Sequence, residues 1–152
     1  ESTVSLQQAG QPNVLINLSQ PKLPIFTSID ATLINQALTN ILKNAGESIE
    51  ARMQNPSTSN HGGVIEVSLK NESEIIVINI SDNGVGLPQD RSRLFEPYVT
   101  TRDKGTGLGL AIVKKIIEEH GGVLKLEDSA PFENTGIIGA LISIELPKSK
   151  NL

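Results

Sequence analysis

Three sets of residues carry types and spacings that could do chemistry. Asn40 and Asn44 stand four apart in a helical run, so their amides project from one face, a turn apart. Asp82 opens the stretch Asp82-Asn83-Gly84-Val85-Gly86, a carboxylate at the end of a strand beside glycines that let backbone approach a flat ring. Gly105-Thr106-Gly107-Leu108-Gly109-Leu110 runs into a second helical segment, whose unpaired N-terminal amides suit an anion such as a polyphosphate. In this order the three describe a purine-triphosphate pocket. The carboxylate would accept the exocyclic amine of adenine, the backbone amides would hold phosphates, and an asparagine oxygen would complete a Mg2+ shell otherwise made of phosphate oxygens and water.

Each piece has a plainer reading when taken alone. The two asparagines could simply bond neighbouring backbone, Asp82 could start an ordinary turn, and the glycines could form a linker, although Leu108 and Leu110 call for burial. Other nucleotide and metal motifs do not fit. The acidic ligands of a calcium-binding loop are absent after Asp82. The second glycine stretch is neither a dinucleotide fingerprint, which needs a different spacing and a preceding strand, nor a phosphate loop ending in Gly-Lys-Ser/Thr. Between the two glycine stretches, Phe95 and Tyr98 could anchor a lid over a nucleotide, with Arg102 and Lys104 near its phosphates. The plainer alternative there is a solvated, charged loop.

These residues need a scaffold, and the hydrophobic pattern supplies one. Residues 2–9 read as a short helix ended by Gly10 and Pro12, and Val14–Leu18 and Pro24–Ile29 as short β-rich runs flanking a turn. From Asp30, a plausible N-cap, apolar residues recur at helical spacing from Leu33 to Ile49, and the helix should end near Arg52 to Gln54. Residues 64–70 and 74–81 alternate as an antiparallel hairpin. Residues 82–106 read as a functional loop, 108–120 as a second amphipathic helix stopped by Gly121-Gly122, and 123–126 and 137–146 as closing strands. The expected fold class is a two-layer α/β sandwich, with a mixed, mostly antiparallel sheet covered on one face by helices. Residues 1–152 read as a single domain with no internal repeat.

Composition agrees and excludes several classes. The chain has 152 residues with 38% hydrophobic and 20% charged content, enough for one real core. Aromatics make up 3%, so that core must be aliphatic. A net charge of −4 speaks against a sequence-independent nucleic-acid binder. There is no cysteine for a disulfide or thiolate metal site, and no apolar run long enough to span a bilayer. The first residue is Glu1, so a fragment or processed chain is expected.

With these residues in view, the chain resembles a known family. Asn40 to Ala45, Asp82 to Gly86, Phe95-Glu96-Pro97-Tyr98 and Gly105 to Leu110 are similar to the N, G1, F and G2 boxes of the sensor histidine kinase ATP-binding domain. That domain is part of the gyrase, Hsp90, histidine kinase and MutL superfamily, which has the Bergerat fold. The likeness runs from about Val14 to Leu146, and its wording around Asn40 and Tyr98 is similar to the nitrogen-regulatory NtrY subgroup. The resemblance implies ATP and Mg2+ as cofactors and Asn44 as metal ligand, with Asn40 lining the same site. It implies Asp82 on the adenine amine, Gly84 and Gly86 shaping the base pocket, and Gly105, Thr106, Gly107, Leu108 and Gly109 around the phosphates. Tyr98, Thr101, Arg102 and Lys104 of the lid would join the nucleotide-binding set, and Lys43 would reach a phosphate from one residue off the asparagine face.

Three features refine this. Gyrase-like ATPases place a general-base Glu where this chain has Asn40, so hydrolysis should be slow and transfer to another nucleophile favoured. The lid reads Thr100-Thr101-Arg102 where relatives often have Lys, and a guanidinium neutralises phosphate with a different geometry. Neither His61, in a polar loop, nor His120, expected to cap a helix C-terminus, stands in a phosphoacceptor setting. The expectation is a histidine kinase catalytic domain, with Asn40, Asn44 and Arg102 serving transfer to a histidine on a separate dimerisation domain. Its downstream partner would be a response regulator. The isolated domain is expected to be monomeric, cytoplasmic, without nucleic acid or direct membrane contact, and part of a membrane-anchored parent. A gyrase- or MutL-type ATPase, an anti-sigma serine kinase and a non-catalytic interaction module are the competing readings.

Overall fold

The computed structural model describes residues 1–96, 109–133 and 135–149. The described residues form three helices and five strands, in the order α1 (Ser2–Gly10), β1 (Val14–Ser19), α2 (Ala31–Met53), β2 (Gly63–Asn71), β3 (Ile75–Asp82), α3 (Gly109–Glu119), β4 (Val123–Asp128) and β5 (Ala140–Pro147). They form one sheet in the order β1-β2-β3-β5-β4. β1 and β2 are parallel, joined through α2, and every other pairing is antiparallel. The expected two-layer architecture is therefore present.

The inner face of the sheet follows from strict alternation. Ile65 and Val67 of β2, Ile76 and Ile80 of β3, and Ile142, Ile144 and Leu146 of β5 point one way and are buried. Above them α2 lays Ile34, Ala37, Ile41, Leu42, Ala45 and Ile49, and α3 lays Val113, Ile116 and Ile117. Full burial of each large aliphatic side chain contributes about 2 kcal/mol, so an isoleucine-rich core replaces the missing aromatics.

α2 begins where the sequence indicates: the Asp30 carboxylate accepts the Leu33 N–H at 3.1 Å. His120 closes α3 as expected, with Nδ1 2.7 Å from the Ile116 carbonyl oxygen. Its Nε2 also accepts the Asp30 N–H at 3.0 Å, so the end of α3 is tied to the start of α2. That pairing puts the ring proton on Nδ1.

One expected strand is absent. Residues 24–29 have the composition of a strand but form none. The segment leaves β1 at one sheet edge and must reach the start of α2 near the ends of β5 and α3, where Thr27 bonds the Pro147 carbonyl at 2.8 Å. A strand needs a partner edge, and the outer edge of β1 is already covered by α1. There the Gln8 amide donates to the Val14 carbonyl at 2.6 Å and accepts the Ile16 N–H at 2.8 Å, as a neighbouring strand's peptide would. β5 also begins at Ala140, three residues later than the alternation predicts, because residues 137–139 serve another purpose described below.

Candidate functional site

Asp82 is placed by the register of β3. Counting inward from Ile76, Ile78 and Ile80, the period of two brings the next inward position to Asp82, opposite Ile65. The rule that builds the core thus delivers a carboxylate into the helical layer at the strand end. Asp82 is only 5% exposed, and its Oδ1 accepts the Gly84 N–H at 2.8 Å.

The turn after Asp82 fits against its surroundings without room for side chains. A Cβ on Gly84 would lie 2.6 Å from the Ser48 carbonyl carbon. Gly86 has φ +80°, which favours glycine. From the opposite side Gly139 approaches so closely that a Cβ there would overlap the Asp82 carbonyl oxygen. Gly139 is in turn held by Ser129, whose Oγ accepts its N–H at 2.8 Å. This is why the strand starts late: 137–139 form the back wall of the Asp82 turn.

Asn40 and Asn44 lie on α2, partly buried, and Ser48 extends their row by one more turn. The Val85 N–H donates to Ser48 Oγ at 3.0 Å and to the Ser48 carbonyl at 3.3 Å, so the row ends against the Asp82 turn. Gly109, the first residue of α3, faces Asn44, and a Cβ there would stand 3.4 Å from Asn44 Nδ2. The N-terminus of α3, the asparagine row and the Asp82 turn therefore meet around one region. Such a set offers a buried carboxylate, amide oxygens and helix-terminal N–H groups to a ligand with an amine at one end and anions at the other.

Lys43 falls elsewhere. It is exposed and lines a cleft of about 870 Å³ between α1 and α2, with Gln7, Gln11, Gly46 and Glu50. Its position lends no support to a phosphate contact. Tyr98, Thr101, Arg102, Lys104, Gly105, Thr106, Gly107 and Leu108 lie outside the described residues. The approach to the lid is described: Lys114 Nζ of α3 sits 4.9 Å above the Phe95 ring, and Arg91 pairs with Asp128 at 2.6 Å.

Four residues here escape the sequence reading. Ser48 carried a signal, since it repeats the Asn40–Asn44 spacing. Asn83 passed as a spacer, yet it is 1% exposed, with Oδ1 accepting the Val64 N–H and Nδ2 donating to the Gly62 carbonyl, both at 2.8 Å. Gly139 looked like part of a strand. Arg52 figured only as a position near the end of the helix, but it is 5% exposed. Its guanidinium donates to the carbonyls of Asn83 at 2.5 Å, Thr58 at 2.6 Å, His61 at 2.9 Å and Gly62 at 3.2 Å. Burial among these neutral acceptors pushes the guanidinium below its ordinary pKa.

Comparison with known proteins adds a family. Residues 29–150 match the family described as histidine kinase-, DNA gyrase B-, and HSP90-like ATPase. The chain is 50% identical over 150 residues to the nitrogen regulation protein NtrY of Azorhizobium caulinodans, covering 97% of this chain and 19% of that protein. It is 34% identical to sporulation kinase B of Bacillus subtilis, covering 96% of this chain and 31% of the kinase. The chain thus spans less than a third of the length of these relatives. Among solved structures, the mycobacterial sensor histidine kinase MprB superposes with a TM-score of 0.78 at 26% identity, covering 97% of this chain and 90% of that one. The catalytic domain of histidine kinase ThkA gives 0.72 at 26% identity, covering 97% and 91%.

Proposed function

Since the chain belongs to the histidine kinase-, DNA gyrase B-, and HSP90-like ATPase family, we propose that it is the catalytic, ATP-binding domain of a two-component sensor histidine kinase. In this reading residues 1–152 form one domain that binds Mg-ATP. It presents the γ-phosphoryl to a histidine on a dimerisation domain elsewhere in the parent protein, with a response regulator downstream. The likeness to NtrY supports a role in nitrogen regulation. Among the described residues no helix is long and apolar enough to cross a membrane. Placement in the cytoplasm, as part of a membrane-anchored sensor, belongs to the same proposal.

The observation that carries the reading is the Asp82 turn: a buried carboxylate between two glycines, Gly84 and Gly139, that admit no side chain. The residues present fit the nucleotide and its metal. Asp82 would accept the adenine amine, while Gly84 and Gly86 let its turn pack tightly against Ser48 and residues 138–139 and so hold the carboxylate in place. Asn44 would offer its amide oxygen to Mg2+ with Asn40 one turn before it, and Gly109 brings the N-terminal amides of α3 to the same place. When bound, the metal supplies neutralisation of phosphate charge. This chain's own contribution is positioning and electrostatic complementarity, which carry most of phosphoryl transfer. Asn40 cannot abstract a proton from water, so ATP is held for an external nucleophile and slow hydrolysis is expected. Roles for Tyr98, Thr101, Arg102, Lys104 and the residues 105–108 rest on the family resemblance.

Calorimetric titration with a non-hydrolysable ATP analogue, with and without Mg2+, tests this. Wild type should bind with an affinity that changes with Mg2+, and Asp82→Ala should abolish binding. Phosphorylation of His61 or His120 by the chain alone would contradict the proposed division of labour.

A further inference from the structure

Arg52 is the one buried cation among the described residues, and it forms no ion pair there. Burying a charge costs several kcal/mol unless hydrogen bonds compensate. The compensation here is specific, because all four acceptors are backbone carbonyls from two segments far apart in sequence. Nε holds the Asn83 carbonyl, between Asp82 and Gly84. The terminal nitrogens hold Thr58, His61 and Gly62 in the loop that follows α2. Thr58 answers by donating its hydroxyl to the Arg52 carbonyl at 3.0 Å, and Asn83 donates its own amide to Gly62. The guanidinium's planar fork can serve both segments at once, whereas an ammonium on a flexible stem cannot hold the same geometry.

The geometry points to Arg52 as a positioning residue for base recognition: we propose that it fixes the Asp82–Gly84 turn against the 58–62 loop and so sets the preference for adenine. This rests on the nucleotide reading above. Asp82 reaches the base only if its peptide is held, and the next carbonyl along is the one Arg52 grips. An error of about 1 Å in such a group can cost up to two orders of magnitude. The inference also assigns a task to the 55–63 loop, whose sequence alone suggests none: its carbonyls complete the cage around Arg52.

The experiment compares affinities of the whole chain for Mg2+ complexes of the imidodiphosphate analogues of ATP and GTP. The variants are Arg52→Lys and, as a control for general loosening, Ile144→Val in the core. The expected result is a roughly tenfold fall in the adenine-over-guanine ratio for Arg52→Lys, from the displacement argument above. Ile144→Val should keep the ratio even where its Tm falls comparably. If wild type prefers adenine and Arg52→Lys keeps that preference while only its Tm drops, Arg52 merely holds the fold and the inference is overturned. If wild type binds neither analogue, the nucleotide reading itself fails and the inference goes with it. Should Arg52→Lys not fold, Thr58→Ala removes only the hydroxyl bond to the Arg52 carbonyl in a surface loop. It should lower the ratio about twofold by the same loss of positioning, and an unchanged ratio would overturn the inference.

Discussion

The Asp82 turn and helix α1 are both fastened by polar side chains, but they sit at opposite extremes of burial. At the turn, Asp82, Asn83, Ser48 and Arg52 are each 5% exposed or less, and their bonds cross between β3, α2 and the 58–62 loop. α1 has no fully buried residue; Val4 packs against the core from a partly exposed position, and polar bonds run from Gln8 to the edge of β1, from Thr3 to Asn35 and, just past the helix, from Gln11 to the Leu42 carbonyl. Individual hydrogen bonds are similar in length in the two regions. The cost of losing one differs, because a group stranded in the interior has no water to turn to and one at the surface does. One region is therefore built to hold a geometry, and the other to be held loosely.

The sharpest way to break this contrast is Arg52→Met. It removes the donor to four carbonyls in a buried site, and about 4 kcal/mol of stability should be lost, read as a lower urea midpoint. A loss below about 1 kcal/mol would mean water replaces the guanidinium, and the turn is no more buried in practice than α1. Gly139→Ala comes next. Its Cβ must displace the Asp82 carbonyl, costing about 2 kcal/mol by overpacking, and nucleotide binding should fall with it.

Gln8→Ala tests the other side. Both edge groups of β1 can turn to solvent, so about 1 kcal/mol is expected, with faster amide exchange at Ile16 and nucleotide affinity unchanged. A loss as large as that of Arg52→Met would erase the distinction between the regions. Lys114→Gln removes the cation over Phe95 at a surface site, where about 0.5 kcal/mol is typical. The same thermal melts that resolve the larger effects should barely register it.

What the sequence disclosed, and what it concealed, follows the same divide. Periodicity located α2 and both members of the hairpin, because the burial of Ile41, Ile49, Ile65 and Ile80 is a local, repetitive demand. Asp82 stood out in the sequence by its motif alone; that the alternation through Ile76, Ile78 and Ile80 carries on to it and turns it inward emerged with the register of the sheet. The supports of the site did not stand out. Arg52 has an ordinary local context, and its burial depends on carbonyls contributed 6 to 31 positions away. Gly139 matters only because Asp82 arrives next to it. Residues 24–29 misled for the converse reason: their composition favours a strand, but strands also need an unpaired neighbour, and Gln8 had already covered that edge.

The proposed ligand would sit between the Asp82 turn, the Asn40–Asn44–Ser48 row and the start of α3, and not in the cleft of about 870 Å³ between α1 and α2. Titrating isotope-labelled protein with a Mg2+-loaded ATP analogue and following backbone amide shifts decides between them. The account predicts saturable shifts at Gly84, Val85, Gly86, Asn44 and Gly109, with Gln7, Gln11, Lys43 and Glu50 left in place. Shifts confined to that second group, or none at Gly84 and Gly86, would contradict it.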